Sequence, residues 1–101
     1  MLFVVEYELA WDGLEPAIAK RLEWMEVKPE SFTFVGEYVW TDRDPPFRGV
    51  AIIETDSVED IHAFVLHYGP TLKAKVHPAT DVMSGIRQVG AEGLDDLQGG
   101  G

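Results

Sequence analysis

Alternating apolar residues at the start of the chain predict a first strand over residues 2–9. Phe3, Val5, Tyr7 and Leu9 fall on one face of such a strand, and that face is wholly apolar. The opposite face changes from apolar to acidic along the strand. This pattern is typical of a strand that packs one side against a core.

A helical repeat follows and predicts a first helix over about residues 13–27. Asp12 is the expected N-cap, with the acid of a capping box three positions later, and Pro29 is expected to end the helix. The apolar positions at helical spacing are Leu14, Ile18, Leu22 and Met25.

Two further strands are predicted in the middle of the chain. Residues 32–41 are the most strand-like stretch, with Phe32, Phe34, Tyr38 and Trp40 alternating on one face. Gly36 interrupts this row, which indicates a bulge or the close approach of another backbone. After a turn at residues 42–46, residues 48–54 are apolar on both faces, as in a central strand covered on both sides.

The second helix is predicted to begin at Asp56, with Glu59 in the reciprocal capping position. Its apolar stripe runs through Val58, Ile61, Val65, Tyr68 and Leu72. Gly69-Pro70 is expected to end or kink this helix. Residues 71–79 are ambiguous, with a short helical turn closed by Pro78 as one interpretation. A last strand is predicted over residues 80–89, and residues 91–101 are expected to form a flexible Gly-rich tail.

The order β-α-β-β-α-β predicts one domain over residues 1–90, of the α+β class with a ferredoxin-like fold. Such a fold has a four-stranded antiparallel sheet with both helices on one face, which leaves the other face uncovered. Here the uncovered face is apolar, and a chain of 101 residues has no further layer to place on it. The sequence therefore predicts a homodimer that packs sheet against sheet.

The net charge of the chain limits the kinds of molecule that it can be expected to bind. Eight Lys and Arg residues against eighteen Asp and Glu residues give a formal net charge of -10. Nucleic acid and anionic membrane surfaces would repel this chain, so neither is expected as a partner. The opening segment lacks a basic leader, and no apolar run approaches the ~20 residues of a membrane span, so we expect a cytoplasmic protein. The absence of cysteine excludes disulfides and thiolate chemistry, and no metal or cofactor is predicted.

The chain resembles the dimeric α+β barrel superfamily over about residues 1–90. The resemblance rests on the element order, on the initial MLFVVEYEL, and on DIHAFVLHYGP leading to HPATDV. It is a resemblance to small bacterial members with no known activity. Other relatives include cofactor-free monooxygenases, muconolactone-type isomerases, haem-degrading enzymes and ligand-sensing domains. The resemblance implies that a ligand lies between the helices and the sheet of each monomer.

One departure from this superfamily bears on activity. Its cofactor-free monooxygenases and haem degraders typically pair an Asn with a Trp to position the substrate. Trp24 and Trp40 are present here, but the chain contains no Asn. This departure favours binding over oxygenase chemistry.

The three histidines are the candidates for a base or a metal ligand. His62 and His67 are five residues apart, roughly 140° around a helix, so they do not form a metal pair. His62 lies at the edge of the apolar stripe, either as a general base or ligand contact or as an ordinary edge histidine, whereas His67 fits a surface or dimer contact. His77 precedes Pro78 in an expected loop that either closes the site or is solvated.

Aromatic residues are the candidates for lining the site. Tyr7, Trp24, Trp40 and Tyr68 either line a cleft for a flat apolar ligand, together with His62 and His77, or belong to the core and the dimer interface. Among them the phenols of Tyr7 and Tyr68 need hydrogen-bond partners if buried, either a ligand or the backbone.

The charged residues of the predicted strands have two interpretations. Paired carboxylates would suit acid–base chemistry, and the alternative is cross-strand or intersubunit ion pairs, which we favour. The carboxylates are Glu6, Glu8 and Glu37, and the favoured ion pairs involve Glu8, Arg48 and Arg87.

Two functions remain open on the sequence alone. The first is a homodimeric small-molecule-binding protein with an apolar, aromatic cleft. The alternative is a cofactor-independent monooxygenase or isomerase acting on a small aromatic or lactone-like substrate. In that alternative His62 is the catalytic base, and Tyr7 or Tyr68 polarises the substrate.

Overall fold

The protein folds as four strands and three α-helices in the part of the chain that the structure describes. The structure is a computed structural model that describes the backbone of residues 1–99 and the side chains of residues 1–90. In chain order the elements are β1 (Leu2–Leu9), α1 (Leu14–Val27), β2 (Thr33–Thr41), β3 (Phe47–Glu54), α2 (Val58–Tyr68), β4 (Lys73–Ala79) and α3 (Val82–Gly99). Short 3-10 turns precede α1 at Trp11–Gly13 and follow α2 at Gly69–Thr71.

The strands form one sheet in the order β2-β3-β1-β4, and every neighbouring pair is antiparallel. This is the strand order of the ferredoxin-like βαββαβ fold, so the predicted fold class is confirmed. The central position predicted for β3 is also confirmed. The two edges of the sheet are β2 and β4.

The core lies between the sheet and the helices α1 and α2. Phe3, Val5 and Leu9 contribute to it from β1, as their alternation predicts. Ala51 and Ile53 of β3 are fully buried on the same face. The other side of the sheet, which we call the open face, carries half-buried apolar residues and the exposed aromatic rings of β2. Its apolar residues are Leu2, Val4, Tyr38, Trp40, Val50 and Ile52, and its charged or ionisable residues include Glu6, Glu8, Arg48, Lys73, Lys75 and His77.

A bulge interrupts β2 where Gly36 broke the aromatic row. Phe34 pairs with Ile53 of β3, but the next pair is Gly36 with Ile52, so Val35 is an extra residue. An extra residue breaks the alternation of a strand, because the residues that follow it exchange faces. The predicted irregularity at Gly36 is therefore confirmed.

The exchange of faces changes the roles of the residues after the bulge. Glu37 pairs with Ala51 and turns toward the helices, whereas Tyr38 and Trp40 turn to the open face. The expectation that Tyr38 and Trp40 share a face with Phe34 is therefore wrong.

The buried side of α1 differs from the predicted stripe. Ala17 and Trp24 are buried, while Leu22 is 64% exposed and Met25 48% exposed. The reason is Trp24, whose ring packs against aromatic rings of the core and so rotates α1 about its axis. Arg21, midway between Ala17 and Trp24, consequently faces the sheet.

The N-caps of α1 and α2 also differ from those predicted. Asp12 lies in the 3-10 turn, and α1 begins after Gly13 without a side-chain cap. For α2 the cap is Ser57, whose hydroxyl accepts the N–H of Asp60 at 3.4 Å. In both cases the aspartate predicted as the cap stands one residue too early.

The predicted last strand is wrong. The strand lies earlier, in the stretch 71–79 that the sequence left ambiguous: residues 73–79 form β4, because a proline is tolerated at a sheet edge and the lysines alternate with small apolar residues. Residues 80–89, expected as a strand, instead contribute to α3. The flexible tail was expected over residues 91–101, whose side chains lie outside the described part of the structure.

No helix in the described part of the chain is both long enough and apolar enough to cross a membrane.

Candidate functional site

A cleft of about 320 Å³ opens between α1 and the sheet, next to the end of α2. Its walls are the apolar residues Leu9, Leu14, Ala17, Ile18, Val39 and Leu72. Its polar part consists of four side chains, Tyr7, Arg21, Glu37 and Tyr68, which we call the polar floor. An apolar cleft with a few convergent polar groups is the usual form of a small-molecule site.

Arg21 joins the members of the polar floor. Its Nη2 donates to Oε2 of Glu37 at 2.8 Å and its Nη1 donates to Oε1, which makes the pair bidentate. Its Nε donates to the hydroxyl oxygen of Tyr68. The Tyr7 hydroxyl donates to Oε2 of Glu37 at 2.7 Å. Bidentate pairing fixes the plane of the guanidinium as well as its position.

Each member of the polar floor comes from a different element. Tyr7 follows the alternation of β1, and Glu37 faces the helices because of the bulge at Val35. Arg21 lies on the inward side of α1, and Tyr68 is the last residue of α2. Side chains far apart in sequence therefore converge on one point of the cleft.

The Phe34 ring packs against the Arg21 guanidinium of the polar floor. The Arg21 guanidinium carbon lies 4.4 Å from the centroid of the Phe34 ring, within the range of a cation–π contact. Phe64 and Tyr68 also lie within 5.7 Å of the guanidinium carbon. The Arg21 guanidinium is thus hydrogen-bonded to the Glu37 carboxylate in its own plane and contacts aromatic rings outside that plane.

The charges of the floor are fixed at neutral pH. Burial alone would raise the pKa of the Glu37 carboxyl, but hydrogen bonds from Arg21 and Tyr7 outweigh it and hold that pKa below its usual value. Burial, together with the Glu37 charge, raises the pKa of Tyr7. Burial also raises the pKa of Tyr68, although Arg21 opposes this. Glu37 is therefore ionised while both phenols are neutral.

The hydrogen bonds leave a defined set of free groups. The Tyr7 proton is committed to Glu37, so only its oxygen lone pairs can face a ligand. The Tyr68 oxygen accepts from Arg21, and among the described residues no acceptor meets the Tyr68 proton. The floor can therefore donate one hydrogen bond from Tyr68. Glu37, already accepting from Arg21 and Tyr7, is poorly suited to act as a base.

His62 does not belong to this cleft. It lines a separate hollow between α2 and β4, whose lining shares no residue with the cleft that contains Tyr7 and Tyr68. The structure therefore does not bring His62 together with Tyr7 or Tyr68, as the catalytic hypothesis required. Position 62 lies at the outer edge of the α2 stripe, facing β4 and away from α1.

The other two histidines also differ from expectation. His67, expected as a surface or dimer contact, has only 21% of its side chain exposed, and its Nε2 lies 3.0 Å from the Lys20 carbonyl oxygen. His77 is in β4 and not in a loop over the cleft. Its Nε2 lies 2.8 Å from Oε2 of Glu6 on the open face.

Neither tryptophan expected in the site lines the cleft. Trp24 is 4% exposed and packs edge-on against Phe32, so it belongs to the core. Trp40 lies on the open face beside Arg48. Of the six side chains predicted to bind a ligand, Tyr7 and Tyr68 are the two that share the cleft.

The favoured ion pairs form in part. Arg48 lies 3.9 Å from Glu8 across β1 and β3, and 3.4 Å from Asp42. Arg87 is on α3, where it donates to the Ser84 hydroxyl at 3.3 Å. Within the described residues, no three His, Asp or Glu side chains converge as metal ligands.

Arg21 was missed because a charged residue in the middle of a helix is normally solvated. The available signal was its spacing, four residues after Ala17 and three before Trp24, which places it on their side of α1. Glu37 was named among the strand carboxylates but was not placed in the site, because alternation without a bulge turns it away from Phe34.

A protein-family model described as a domain of unknown function, DUF3303, matches residues 1–93. No curated protein sequence matches the chain. The fold is similar to that of solved structures with low sequence identity. One is SnoaB, a cofactor-independent oxygenase from Streptomyces nogalater, with 14% identity and a TM-score of 0.45 over 81% of this chain and 94% of that one.

Two further similar structures have different origins. A candidate antibiotic biosynthesis monooxygenase from Deinococcus radiodurans is 9% identical, with a TM-score of 0.46 over 81% of this chain and 95% of that one. The de novo designed protein Foldit4 is 18% identical, with a TM-score of 0.48 over 80% of this chain and 99% of that one.

Proposed function

This chain belongs to the DUF3303 family, and we propose that it is a homodimer that binds a small, mostly apolar molecule in the cleft between α1 and the sheet. The observation that carries the proposal is the polar floor. Four side chains from four elements form one hydrogen-bonded cluster at the base of an otherwise apolar cleft. The cluster lines the space of the cleft, so its polar groups can meet a ligand as well as one another.

The free groups of the floor define how a ligand would be held. The Tyr68 proton can donate to an oxygen of the ligand, and the Tyr7 oxygen can accept from a ligand hydroxyl. The apolar walls would cover the rest of the molecule. A ring system with one hydroxyl or carbonyl oxygen meets these requirements.

The enzymatic alternative has weaker support. An isomerase or cofactor-independent monooxygenase needs a base within hydrogen-bond reach of the substrate. His62 lines the other hollow, and the lowered pKa of Glu37 makes its carboxylate a weak base. Binding without turnover therefore fits the cleft better than catalysis.

The dimer in this proposal packs open face against open face. Trp40 and Tyr38 are 49% and 68% exposed there, and Val35 is 61% exposed. Apolar and aromatic side chains grouped on one flat surface favour a partner, and a second copy of the same sheet supplies the same surface.

Titration with 1-naphthol tests the binding site. This probe carries one hydroxyl on an apolar ring system, and calorimetry would report its affinity. Val39→Trp should fill the cleft mouth and weaken binding by at least about tenfold, because Val39 lines the cleft and is 70% exposed. Val27→Trp is the matched control, since Val27 is 66% exposed and does not line the cleft.

Equal affinity in both variants would reject the cleft as the site. Release of a new product from 1-naphthol by the unmodified protein in air would instead support the enzymatic alternative. Loss of binding in Val39→Trp alone, with no turnover, supports the proposal.

A further inference from the structure

The open face has lysines along one edge and aromatic rings along the other. Lys73 and Lys75 alternate on β4, whereas Tyr38 and Trp40 alternate on β2. In the described part of the chain neither lysine forms an ion pair. Both edges therefore carry side chains that can still take a partner.

The carboxylates of β1, which lie opposite these lysines, are in contact with other basic side chains. Glu6 meets His77 at 2.8 Å, and Glu8 lies 3.9 Å from Arg48. Arg48 is 42% exposed, and its second carboxylate, Asp42, lies at 3.4 Å. Both Arg48 distances exceed the usual length of about 2.7–3.2 Å for a hydrogen bond. The guanidinium therefore keeps N–H groups that can donate to a further acceptor.

The open face is close to neutral, although the chain carries a formal net charge of -10. Three of the eight Lys and Arg residues of the chain belong to it, namely Arg48, Lys73 and Lys75. The carboxylates beside them are Glu6, Glu8 and Asp42. Glu54, at one end of the face, is paired with the amino terminus at 2.8 Å. The excess negative charge lies elsewhere, so two copies that meet through this face repel each other little.

Two aligned sheets related by a two-fold axis can lie face to face in two orientations. When the axis runs parallel to the strands, β4 of one copy lies over β2 of the other, and residues at the same level along the strands meet. When the axis crosses the strands, β4 lies over β4, and the opposite ends of the strands meet. The twist of the sheets rotates these contacts but does not change which edges meet.

We infer that the two copies pack with the two-fold axis parallel to the strands, so that β4 of each copy covers β2 of the other. The residues at one level across the sheet are Trp40, Arg48, Glu8 and Lys73. All four line the same depression of about 290 Å³ on the open face. A two-fold axis parallel to the strands reverses the order of this row and places it on itself.

The reversed row complements itself. Lys73 lies over Trp40 of the second copy, which is a cation–π contact, and Arg48 lies over Glu8 of the second copy, which is an ion pair. At the next level Lys75 lies over Tyr38 of the second copy. Each contact occurs twice, because the axis relates the two copies.

The other orientation opposes groups that do not match. It places Glu8 over Leu2 of the second copy and Lys75 over His77, so that a charge meets an apolar side chain and a lysine meets another basic one. It also places Arg48 over Glu54, whose carboxylate is already held by the amino terminus. Charge complementarity therefore selects the first orientation.

Cross-linking tests this orientation, which rests on the homodimer of the proposed function but not on its cleft. Because the chain has no cysteine, Tyr38→Cys and Lys75→Cys each introduce a single thiol. The two full-length proteins would be mixed, equilibrated and treated with a short bis-maleimide. The product that joins positions 38 and 75 should exceed the 38–38 and 75–75 products by about tenfold or more, as measured by intact mass. Equal yields, or a predominant 75–75 product, would overturn the inference.

An exchange of charges tests the ion pair across the interface. Glu8→Arg and Arg48→Glu each oppose like charges between two identical copies, whereas a heterodimer of the two variants restores both pairs. The heterodimer should have a dissociation constant at least about tenfold lower than either homodimer. In the control mixture Lys20→Glu replaces Arg48→Glu, since it has the same net charge but lies on α1. An equal preference for the heterodimer in both mixtures would overturn the inference.

Sedimentation of the unmodified protein separates the two ways of failing. A monomer at every concentration would reject the homodimer of the proposed function and this orientation with it. A dimer that gives no excess of the 38–75 product keeps the homodimer and rejects only the orientation.

Discussion

The ring of Tyr7 occupies the space that a side chain at Gly49 would need. The two residues pair across β1 and β3, and a β-carbon at position 49 would lie 2.5 Å from the Tyr7 hydroxyl oxygen. Real β-carbons do not approach other atoms this closely. The absence of a side chain at Gly49 is therefore what lets Tyr7 lie flat over β3 and reach Glu37.

Gly49→Ala should displace the Tyr7 ring and disrupt the polar floor. The expected loss is about 1–3 kcal/mol in the free energy of unfolding, because the strand backbone cannot yield. Chemical denaturation measures this value. Gly36→Ala is the control, since its β-carbon would meet Tyr38 at an ordinary 3.6 Å and little change is expected. A Gly49→Ala protein as stable as the Gly36→Ala protein would contradict this account.

Glu37→Gln should leave the Arg21 cation without its carboxylate. Arg21 and Glu37 are 26% and 22% exposed, so the pair is shielded but not dry. The expected cost is about 1–3 kcal/mol in the free energy of unfolding. Glu8→Gln is a suitable control, because its partner Arg48 lies at 3.9 Å and also has Asp42.

The same pair predicts a dependence of stability on pH. The pKa of Glu37 is lower in the folded protein than in the unfolded chain, where it is about 4.3. Its contribution is therefore complete above that value and is lost as pH falls through the folded pKa. Denaturation midpoints between pH 7 and pH 3 should fall more steeply for the unmodified protein than for Glu37→Gln. Parallel curves would show that Glu37 does not contribute in this way.

The raised pKa of Tyr7 predicts that stability also depends on pH in the alkaline range, where it falls as pH rises. Tyr7 has a raised pKa in the folded state, so its contribution is complete below about pH 10 and declines as pH rises toward the folded pKa. Ultraviolet absorbance at pH 11 should show Tyr7 still protonated in the folded protein. Tyr7→Phe should then leave the phenolate absorbance at that pH unchanged. A drop in absorbance in that variant would mean that Tyr7 ionises normally.

Trp40→Asp should weaken a dimer that packs through the open face. The substitution removes a large half-exposed aromatic ring from the proposed contact and puts a carboxylate in its place, and about 1–3 kcal/mol is the expected loss. Sedimentation at a series of concentrations would measure the dissociation constant. Met25→Asp is the control, because Met25 is similarly exposed, at 48%, on the helix side of the molecule. Equal effects of both variants would reject contact through the open face.

The first five elements of the fold were predicted near their observed positions, although the buried side of α1 and the faces of β2 after its bulge were not. Alternation identified β1, and apolar residues on both faces identified β3 as central. The segment after Gly69 was misread because its signals compete: the lysines of β4 obscure the alternation, and Val82, Ile86 and Val89 also occur in a pattern compatible with a strand.

The site was predictable only where a side chain follows its local pattern. Tyr7 does so, and Tyr68 does so as part of the α2 stripe. Arg21 and Glu37 depend on tertiary effects, namely the rotation of α1 by Trp24 and the extra residue in β2. Gly36 indicated a bulge, and Arg21 has the spacing of Ala17 and Trp24, but the sequence did not show which residue of β2 is extra or which side of α1 is buried.

The bulge at Val35 also determines how related sequences should be compared. A chain lacking this residue would have a regular strand in which the glutamate follows Phe34 by two positions, and alternation would still turn it toward the helices. The length of β2 can therefore change by one residue without moving the carboxylate from the cleft. In an alignment, a one-residue gap at this point would therefore indicate that the bulge is lost while the carboxylate still faces the cleft.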